Sequence, residues 1–389
     1  MDYEIVKLKE IADFNKESIG KNSNYEFINY LDTANITNGA IDTVVRIPIE
    51  EAPSRAKRIV HNNDIVYSTV RPNLCHYGIL DSPVENMIVS TGFTVISCKD
   101  DVNPYYVYNY LIQNDITSQL HSIAENSTSA YPSIKPSDLE NIEIKLPKLD
   151  IQNKIAKILT DIDKKIKINN EINNNLSEQI KSIYNEIFTE FIDYKRLDEI
   201  SNVTIGKTPP RSEQECFTTD KNDVKWISIS DLGKSGMFIF DTSEKLTQEA
   251  VDKYNVKVIP KDTVILSFKL TVGRTGFTTE DMTTNEAIAH FDLNNKELNN
   301  YLYCTLTYYN YSDLGSTSSI ATAINSKIVK SIKIGIPSDE QLNKFNNLTS
   351  AMFKTIKNNE SENIKLSELR DTLLPKLMNG EIDLDKIEL

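Results

Sequence analysis

Three short motifs in this chain approach known chemistry, and each lacks a residue that the chemistry requires. Gly206-Lys207-Thr208 resembles the end of a phosphate-binding loop, but that loop needs a glycine where Ser201 stands. Asn103-Pro104-Tyr105-Tyr106 approaches the N-P-P-Y tetrad with which amino-methyltransferases hold a base, but one proline is missing. Glu143-Ile144-Lys145 would be half of a nuclease site, but no second acid is suitably placed. We therefore predict a turn at the first motif, a helix start at the second, and no catalytic residue.

The sequence also contains no pattern that is typical of a metal site or of disulfide bonds. The histidines form no spaced ligand set, and the cysteines contain no C-x-x-C pair. These residues are His61, His76, His121 and His290, and Cys75, Cys98, Cys216 and Cys304. The sequence thus predicts no metal site, no cofactor and four unpaired thiols.

Composition indicates a globular protein outside the membrane. No apolar run reaches the roughly 18 residues that a membrane span needs, and residues 1–4 do not resemble a signal peptide, so we expect a cytoplasmic protein. The net charge of −13 disfavours a polyanionic partner. Any phosphate-binding surface must therefore be a local patch.

The chain contains two similar halves about 190 residues apart. Each half ends in an apolar strand, a proline and a long helix pattern. The matched segments are 142–147 with 332–337, 8–11 with 197–200, and 109–111 with 300–302. Such a duplication predicts two similar surfaces in one molecule.

Each half should be an α+β body with a mixed or antiparallel sheet. Short β-branched runs predict strands, and longer patterns after a proline or a polar cap predict helices. The predicted strands are 64–68, 91–96, 226–230 and 263–267, and the predicted helices are 105–120 and 297–309.

Two long helices are the clearest prediction. Their apolar residues step by threes and fours, interrupted near Asn169-Asn170, and Asn359 falls at a seam position. One face of a globular core is the alternative, but about 40 residues exceed most core helices, and a seam asparagine can fix register in a coiled coil. The predicted pairing residues are Ile155, Ile158, Ile162 and Leu176 on the first helix, and Leu348, Met352, Leu366 and Leu369 on the second.

Chain order then predicts the architecture. Residues 1–149 and 193–337 would be two similar bodies, and residues 150–192 and 338–389 would be two antiparallel helices with a C-terminal tail. The bodies would lie at opposite ends of a rod about 60 Å long, related by a pseudo-two-fold axis. Bodies on such a rod could meet successive turns of B-DNA, about 34–36 Å apart.

With these features in view, the whole chain resembles the specificity (S) subunit of a Type I restriction-modification system. The order and duplication of several motifs carry the resemblance more than any one motif does. These motifs are the doubled proline, glutamine and isoleucine helix opening, residues 206–211 (G-K-T-P-P-R), 226–231 (W-I-S-I-S-D), 90–93 (S-T-G-F), Asn285-Glu286 and the tail 369–381.

The resemblance implies two target-recognition domains separated by paired spacer helices. Such a chain is non-catalytic, binds double-stranded DNA at an asymmetric site in two parts, and docks two methyltransferase subunits that modify adenine N6. Two restriction subunits can join the complex. The alternative, which the net charge of −13 favours, is a non-catalytic coiled-coil adaptor that binds other proteins.

Candidate DNA-reading residues follow from side-chain chemistry. Arginine and asparagine suit bidentate readout of guanine and adenine edges, whereas lysine more often meets phosphate. Basic residues near turns or after strands are therefore predicted to contact DNA, although any one of them could be a solvated surface charge. They are Arg55, Lys57, Arg58, Arg71, Asn73 and His76 in the first body, and Lys207, Arg211, Lys269 and Arg274 in the second.

Overall fold

A computed structural model describes residues 2–20, 24–127, 131–191, 193–314, 324–382 and 384. The chain divides into two compact units. Unit 1 comprises Met1–Lys164 and Leu366–Leu389, and unit 2 comprises Lys165–Lys365. Across these described residues, no helix combines the length and apolar character needed to cross a bilayer.

Unit 1 combines short helices with mixed sheets. Its strands are β1 (Tyr3–Lys7), β2 (Ala12–Phe14), β3 (Phe27–Leu31), β4 (Ile36–Thr37), β5 (Ala40–Ile41), β6 (Val45–Pro48), β7 (Ala56–Ile59), β8 (Ile65–Ser68), β9 (Tyr77–Ile79), β10 (Met87–Ser90), β11 (Phe93–Cys98) and β12 (Glu143–Pro147). Its short helices are α1 (Leu8–Ile11), α2 (Pro104–Leu111), α3 (Asn114–Glu125) and α4 (Pro136–Glu140). The larger sheets have the orders β6-β3-β10-β7 and β2-β11-β8-β9, and β3 runs parallel to β10.

The sheet β2-β11-β8-β9 is buried on both faces. Successive side chains of a strand point to opposite faces. On β8, Ile65 and Tyr67 pack with Tyr106 in one apolar cluster, whereas Val66 packs with Leu31 in another. The continuous apolar run of β8 is therefore explained by burial on two sides.

Unit 2 repeats this construction. Its short helices are α6 (Leu197–Ile200), α7 (Ile229–Lys234), α8 (Gln248–Tyr254), α9 (Asn299–Tyr308) and α10 (Ser326–Ser331). Its strands are β13 (Asp193–Arg196), β14 (Ser201–Ile205), β15 (Phe217–Thr218), β16 (Val224–Ile227), β17 (Phe238–Ile239), β18 (Glu244–Leu246), β19 (Val264–Ser267), β20 (Thr275–Thr278), β21 (Thr283–Thr284), β22 (Ile288–Leu293) and β23 (Lys333–Ile336). The sheets have the orders β14-β22-β19-β20-β17 and β15-β18-β16-β21, and both contain a parallel pair.

The duplication has a shared anchor. In unit 1, β1 pairs with β12 and the Tyr106 hydroxyl donates to the Lys145 carbonyl. In unit 2, β13 pairs with β23 and the Tyr301 hydroxyl donates to the Gly335 carbonyl at 2.6 Å. Tyr106 is thus the equivalent of Tyr301, so the sequence match of 109–111 with 300–302 is wrong by about one helical turn.

Two other predictions differ from the structure. The segment predicted as one helix over 105–120 forms α2 and α3, and Gln113 is the N-cap residue of α3. The strand predicted over 226–230 ends at Ile227. The Ser228 hydroxyl accepts a hydrogen bond from Asp231 N at 3.1 Å and starts α7, because this capping box outweighs the β-branched composition.

The long helices are α5 (Leu149–Ile187) and α11 (Asp339–Met378). Within unit 2 they run antiparallel. Asn169 Nδ2 donates to Glu362 Oε2 at 2.8 Å, and Asn359 Nδ2 donates to Asn173 Oδ1 at 2.9 Å. The predicted seam position of Asn359 is confirmed, and α5 continues through the interruption expected at Asn169-Asn170. That interruption is a buried polar layer of the seam, with Asn169 only 1% exposed.

Most predicted pairing residues face the interior of their own unit. Ile155 and Ile162 are buried, and Ile158, Leu176, Met352 and Leu366 are partly buried. Leu348 and Leu369, however, are each 47% exposed, so the structure does not place them in the seam. The buried stripe of α11 in unit 2 is Leu342, Phe345, Thr349, Phe353 and Ile356. Because Thr349 is polar, a pattern of apolar residues does not reveal where this stripe lies.

Replacing Asn169 by alanine should lower the free energy of unfolding by about 1–3 kcal/mol, because its buried amide donates across the seam to the charged carboxylate of Glu362. The wild-type amide also bonds Asn363 Oδ1 at 2.9 Å. Chemical denaturation measures the difference. Asn174 is exposed on the same helix, so Asn174→Ala is the control and should change stability by less than about 0.5 kcal/mol. Equal effects of the two variants would contradict a stabilising role for the polar layer.

Candidate nucleic-acid interface

In unit 1, Arg55 is exposed but already oriented. Its Nη2 lies 2.6 Å from Asp32 Oδ2. The other carboxylate oxygen of Asp32 accepts a hydrogen bond from Thr33 N at 2.7 Å and caps the short helical turn Thr33–Asn35. The guanidinium is therefore held near the end of β3 rather than free in solvent.

Arg58 does not share the exposed surface of Arg55 and Lys57. Lys57 and Arg58 both lie within strand β7, rather than near a turn or after a strand as predicted. Neighbouring residues of a strand point to opposite faces. Lys57 is exposed, whereas Arg58 is half-buried with Nη1 3.4 Å from Ser18 Oγ. Only Lys57 and Arg55 keep an exposed charge.

The predicted loop residues Arg71, Asn73 and His76 follow β8 as expected. Arg71 has a left-handed backbone (φ 48) and lies 5.4 Å from the centre of the Tyr131 ring. Asn73 is exposed in the same loop. The half-buried His76 ring bonds the Ile36 carbonyl through Nδ1 at 2.6 Å, so this ring supports the loop.

The turn at residues 90–92 connects these groups. Thr91 N donates to the Arg55 carbonyl at 2.8 Å, and Thr69 N donates to the Gly92 carbonyl at 2.8 Å. A Cβ on Gly92 would lie 2.9 Å from Thr33 Cγ2, so glycine allows this close approach. We call residues 32–33, 55, 69–76 and 90–92 loop surface 1.

Unit 2 builds the same scaffold with different side chains. In each unit one loop joins two buried strands and is closed at its base by backbone hydrogen bonds. The equivalent bonds are Ser68 N to His76 O (2.9 Å) with Ser267 N to Arg274 O (2.8 Å), and Thr69 N to Gly92 O (2.8 Å) with Phe268 N to Ala287 O (2.9 Å). His76 and Arg274, both predicted from chemistry alone, occupy equivalent places. We call residues 207–211, 244, 268–274 and 285–287 loop surface 2.

Arg211 is held on loop surface 2 by a carboxylate and two aromatic rings. Its Nη1 and Nη2 donate to the two carboxylate oxygens of Glu244 at 2.8 and 2.9 Å. Its guanidinium carbon lies 4.1 Å from the centre of the Phe217 ring and 4.8 Å from that of Trp226. The Glu244 hydrogen bonds raise the pKa of Arg211, so its charge is permanent. Because both Nη atoms donate to Glu244, a base edge would be read by the N–H groups on the other edge of this stacked guanidinium.

Lys207 uses its charge within the protein. Its Nζ donates to the Tyr254 carbonyl at 2.6 Å. The preceding Gly206 is needed for close packing, because a Cβ there would lie 2.0 Å from Thr284 Oγ1. The glycine of the phosphate-loop-like motif therefore serves a backbone contact rather than phosphate binding.

Lys269 and Arg274 lie at opposite ends of one loop. Lys269 is exposed near the Phe268 ring, whereas Arg274 Nη1 donates to the Ile229 carbonyl at 3.1 Å. Between them, Leu270 is 95% exposed with a left-handed backbone (φ 62). Sequence reasoning missed Leu270, whose apolar tip could contact a thymine methyl group.

Side-chain chemistry alone did not select Glu286 as a candidate DNA contact. Its side chain is exposed on the turn at 285–287 and accepts a hydrogen bond from the Thr208 hydroxyl. Partial burial opposes ionisation, but that hydrogen bond and the charges of Lys269 and Arg211 lower the pKa of Glu286 overall. The one sequence signal for this residue was the dipeptide Asn285-Glu286, which is among the motifs that carry the family resemblance.

The described residues show no other developed chemical site. Asn103 Oδ1 accepts from Tyr105 N and Tyr106 N, which confirms the predicted helix start. The four cysteines are free. No group of three or more potential metal ligands occurs in the part of the chain that the structure describes.

The fold and loops define a duplicated protein whose two units present one scaffold with different side chains. The chain belongs to the Type I restriction modification DNA specificity domain family, whose model matches residues 1–178 and 191–369. This match confirms the family resemblance drawn from the sequence motifs.

Similar proteins agree with this membership. The Type I restriction enzyme HindI specificity subunit of Haemophilus influenzae is 24% identical over 440 residues, covering 92% of this chain and 95% of its own. The MjaIX specificity subunit of Methanocaldococcus jannaschii is 25% identical over 428 residues, covering 99% and 95%. A Type I restriction-modification S subunit from M. genitalium has a similar fold, with a TM-score of 0.60 at 14% identity and coverage of 97% and 96%.

Proposed function

We propose that this chain is the DNA-reading, non-catalytic subunit of a Type I restriction-modification complex. Loop surface 1 would read one part of an asymmetric two-part site, and loop surface 2 the other part. The observation that carries this proposal is the shared loop scaffold with unlike side chains, for example His76 against Arg274 and Gly92 against Ala287. A common frame with different contacts suits two different half-sites.

The proposed division of labour follows the sequence. Residues 1–149 and 193–337 would be the target-recognition domains. Residues 150–192 and 338–389 would supply the spacer helices and the C-terminal tail. The constant separation of the two domains remains a prediction from chain order.

The charge distribution favours base reading over simple attraction to phosphate. The net charge is −13, and both Arg55 and Arg211 are paired with a carboxylate. An arginine paired with a carboxylate adds little to the net positive potential of the surface, but its N–H donors are held in a fixed orientation. We therefore expect sequence-specific contacts to account for much of the affinity, together with exposed lysines such as Lys57 and Lys269.

Partner subunits would dock on the long helices. In unit 2, four apolar side chains of these helices are well exposed: Ile168 (50%), Ile172 (40%), Leu348 (47%) and Ile364 (39%). Exposed apolar residues that share one helix face, as Ile168 and Ile172 do four residues apart, indicate a protein contact. We propose that they bind methyltransferase subunits, two per complex, which modify adenine N6 in the DNA, and that two restriction subunits can join.

A domain exchange tests the proposal. Replacing residues 1–147 by the corresponding domain of another specificity subunit should change one half of the methylated motif and leave the other half unaltered. The full chain is co-expressed with its methyltransferase subunit, and modified adenines are mapped by sequencing. A change in both halves would contradict independent reading by the two units.

The adaptor alternative makes an opposite prediction. A protein-binding adaptor would leave a DNA duplex unshifted in a mobility assay, with or without the methyltransferase subunit. A shift that depends on sequence supports the DNA-reading function, and the absence of any shift with the assembled complex would overturn it.

A further inference from the structure

His290 is a buried histidine with hydrogen bonds at both ring nitrogens. It is 0% exposed on β22. Its Nδ1 lies 2.9 Å from Thr204 Oγ1, and its Nε2 lies 2.6 Å from Thr284 Oγ1. Burial, with a smaller contribution from the charge of Lys257, lowers the pKa of His290 to about 3. The ring is therefore neutral near pH 7 and carries one N–H.

The hydrogen bonds around this ring can form one continuous chain. The Thr284 hydroxyl lies 3.1 Å from the Asn285 carbonyl oxygen, which can only accept. A hydroxyl has one proton, so when Thr284 donates it to the Asn285 carbonyl, Nε2–H donates to Thr284 Oγ1. In that arrangement Nδ1 accepts from the Thr204 hydroxyl. A single chain of hydrogen bonds thus runs from Thr204 through His290 and Thr284 to the Asn285 carbonyl.

This chain ends on the turn that carries Glu286. Asn285 Oδ1 accepts from Ala287 N at 3.1 Å, and Asn285 N donates to the Ile227 carbonyl at 3.0 Å. On the inner side, Gly206 packs so closely that an added Cβ would lie 2.2 Å from the Asn285 carbonyl oxygen. The inner side of the turn is fixed, and the Glu286 side chain is exposed.

Unit 1 lacks the polar chain. Its Gly92 corresponds to Ala287, since each accepts the same backbone bond from the neighbouring loop. Counting from that pair along β11 and β22 places Val95 at the position of His290. The valine has no ring nitrogen, and its backbone N donates to Asn15 Oδ1 at 3.1 Å. The device is specific to unit 2.

We propose that the Thr204–His290–Thr284 chain is a positioning device that aims Glu286 at a base carrying an exocyclic amino group in the major groove. An ionised carboxylate only accepts hydrogen bonds, so it fits the amino group of cytosine or adenine. This inference rests on the proposed DNA-reading function. It makes Glu286 a specificity-determining residue of the unit 2 half-site, with His290 and Thr284 as positioning residues.

The test uses the full chain co-expressed with its methyltransferase subunit and maps methylated adenines by sequencing. Thr284→Val removes the hydroxyl with little change in shape and should relax the preference at one base of one half-site by about tenfold or more. Glu286→Gln adds a donor and should move that preference away from the amino-bearing base. The other half-site should stay unchanged in both variants.

The matched control is Thr94→Val in unit 1. Thr94 is equally buried on β11, and its hydroxyl has no hydrogen-bond partner among the described residues. This variant should keep both half-sites. An unaltered motif in Glu286→Gln, or equal relaxation of both half-sites in Thr284→Val, would overturn the inference. If Thr284→Val fails to fold, the exposed Glu286→Gln decides alone. A wild-type complex that methylates no two-part motif would instead overturn the proposed function.

Discussion

Aspartate at both Ile168 and Ile172 is expected to abolish co-purification of the methyltransferase subunit while the chain remains folded. The two side chains are 50% and 40% exposed, and residues four apart lie on the same helix face. The seam residues Asn169 and Asn173 are buried on another face, where they bond α11. Two charges would therefore disrupt the proposed docking surface without entering the seam.

Affinity capture of the tagged chain with its co-expressed subunit measures this loss, and circular dichroism checks folding. Asn174→Asp adds a charge at an exposed polar position of α5 and should leave capture unchanged. Ile180, only 1% exposed in the core of unit 2, gives the contrast. Ile180→Asp buries an unpaired charge and should destabilise the fold itself by roughly 4 kcal/mol or more. Wild-type capture by the double variant would remove this face from the docking surface.

The duplicated fold was accessible from sequence because its signals are local and repeated. The strand, proline and helix openings occur twice, and the apolar strand at Ile65–Ser68 needs only its own residues to be recognised. The residue-by-residue match between the two halves could not be predicted from the sequence. Tyr106 takes the place of Tyr301, but a neighbouring N-Y-L repeat gave the stronger sequence match.

The sequence pattern also failed to predict which face of α11 is buried. Leu348 fits a three-and-four apolar pattern, yet it is 47% exposed, while the polar Thr349 beside it is 0% exposed. The Thr349 hydroxyl donates to the Phe345 carbonyl at 2.8 Å, which satisfies it within the helix. A pattern of hydrophobic residues alone does not detect a buried threonine of this kind.

The candidate interface was only partly accessible from sequence. Arginine chemistry selected Arg55 and Arg211, but the carboxylates that orient them, Asp32 and Glu244, are 23 and 33 residues away along the chain. No local pattern joins such pairs. Chemistry also selected Arg58, which strand alternation turns towards Ser18. Side-chain type indicates what a residue can do, whereas the fold decides which way it points.

Arg211→Ala is expected to weaken DNA binding by about 1–3 kcal/mol and to relax the preference in the unit 2 half-site alone. The ordered guanidinium, held by Glu244 and stacked on Phe217 and Trp226, is suited to a guanine edge. Arg211→Lys should resemble the alanine variant, because lysine keeps the charge but loses the planar fork. Titrations of the assembled complex with matched and mismatched duplexes at several salt concentrations measure both effects.

Arg196 is the matched control, since it is an exposed arginine of the same unit paired with Asp198 at 2.5 Å, outside loop surface 2. Arg196→Ala should leave affinity and site preference unchanged. A base contact predicts that Arg211→Ala changes preference with an unchanged salt slope. A phosphate contact predicts uniform weakening across sequences and a slope smaller by about one. Uniform weakening would therefore reassign Arg211 from reading a base to binding the backbone, and an equal effect of both alanine variants would remove Arg211 from the interface.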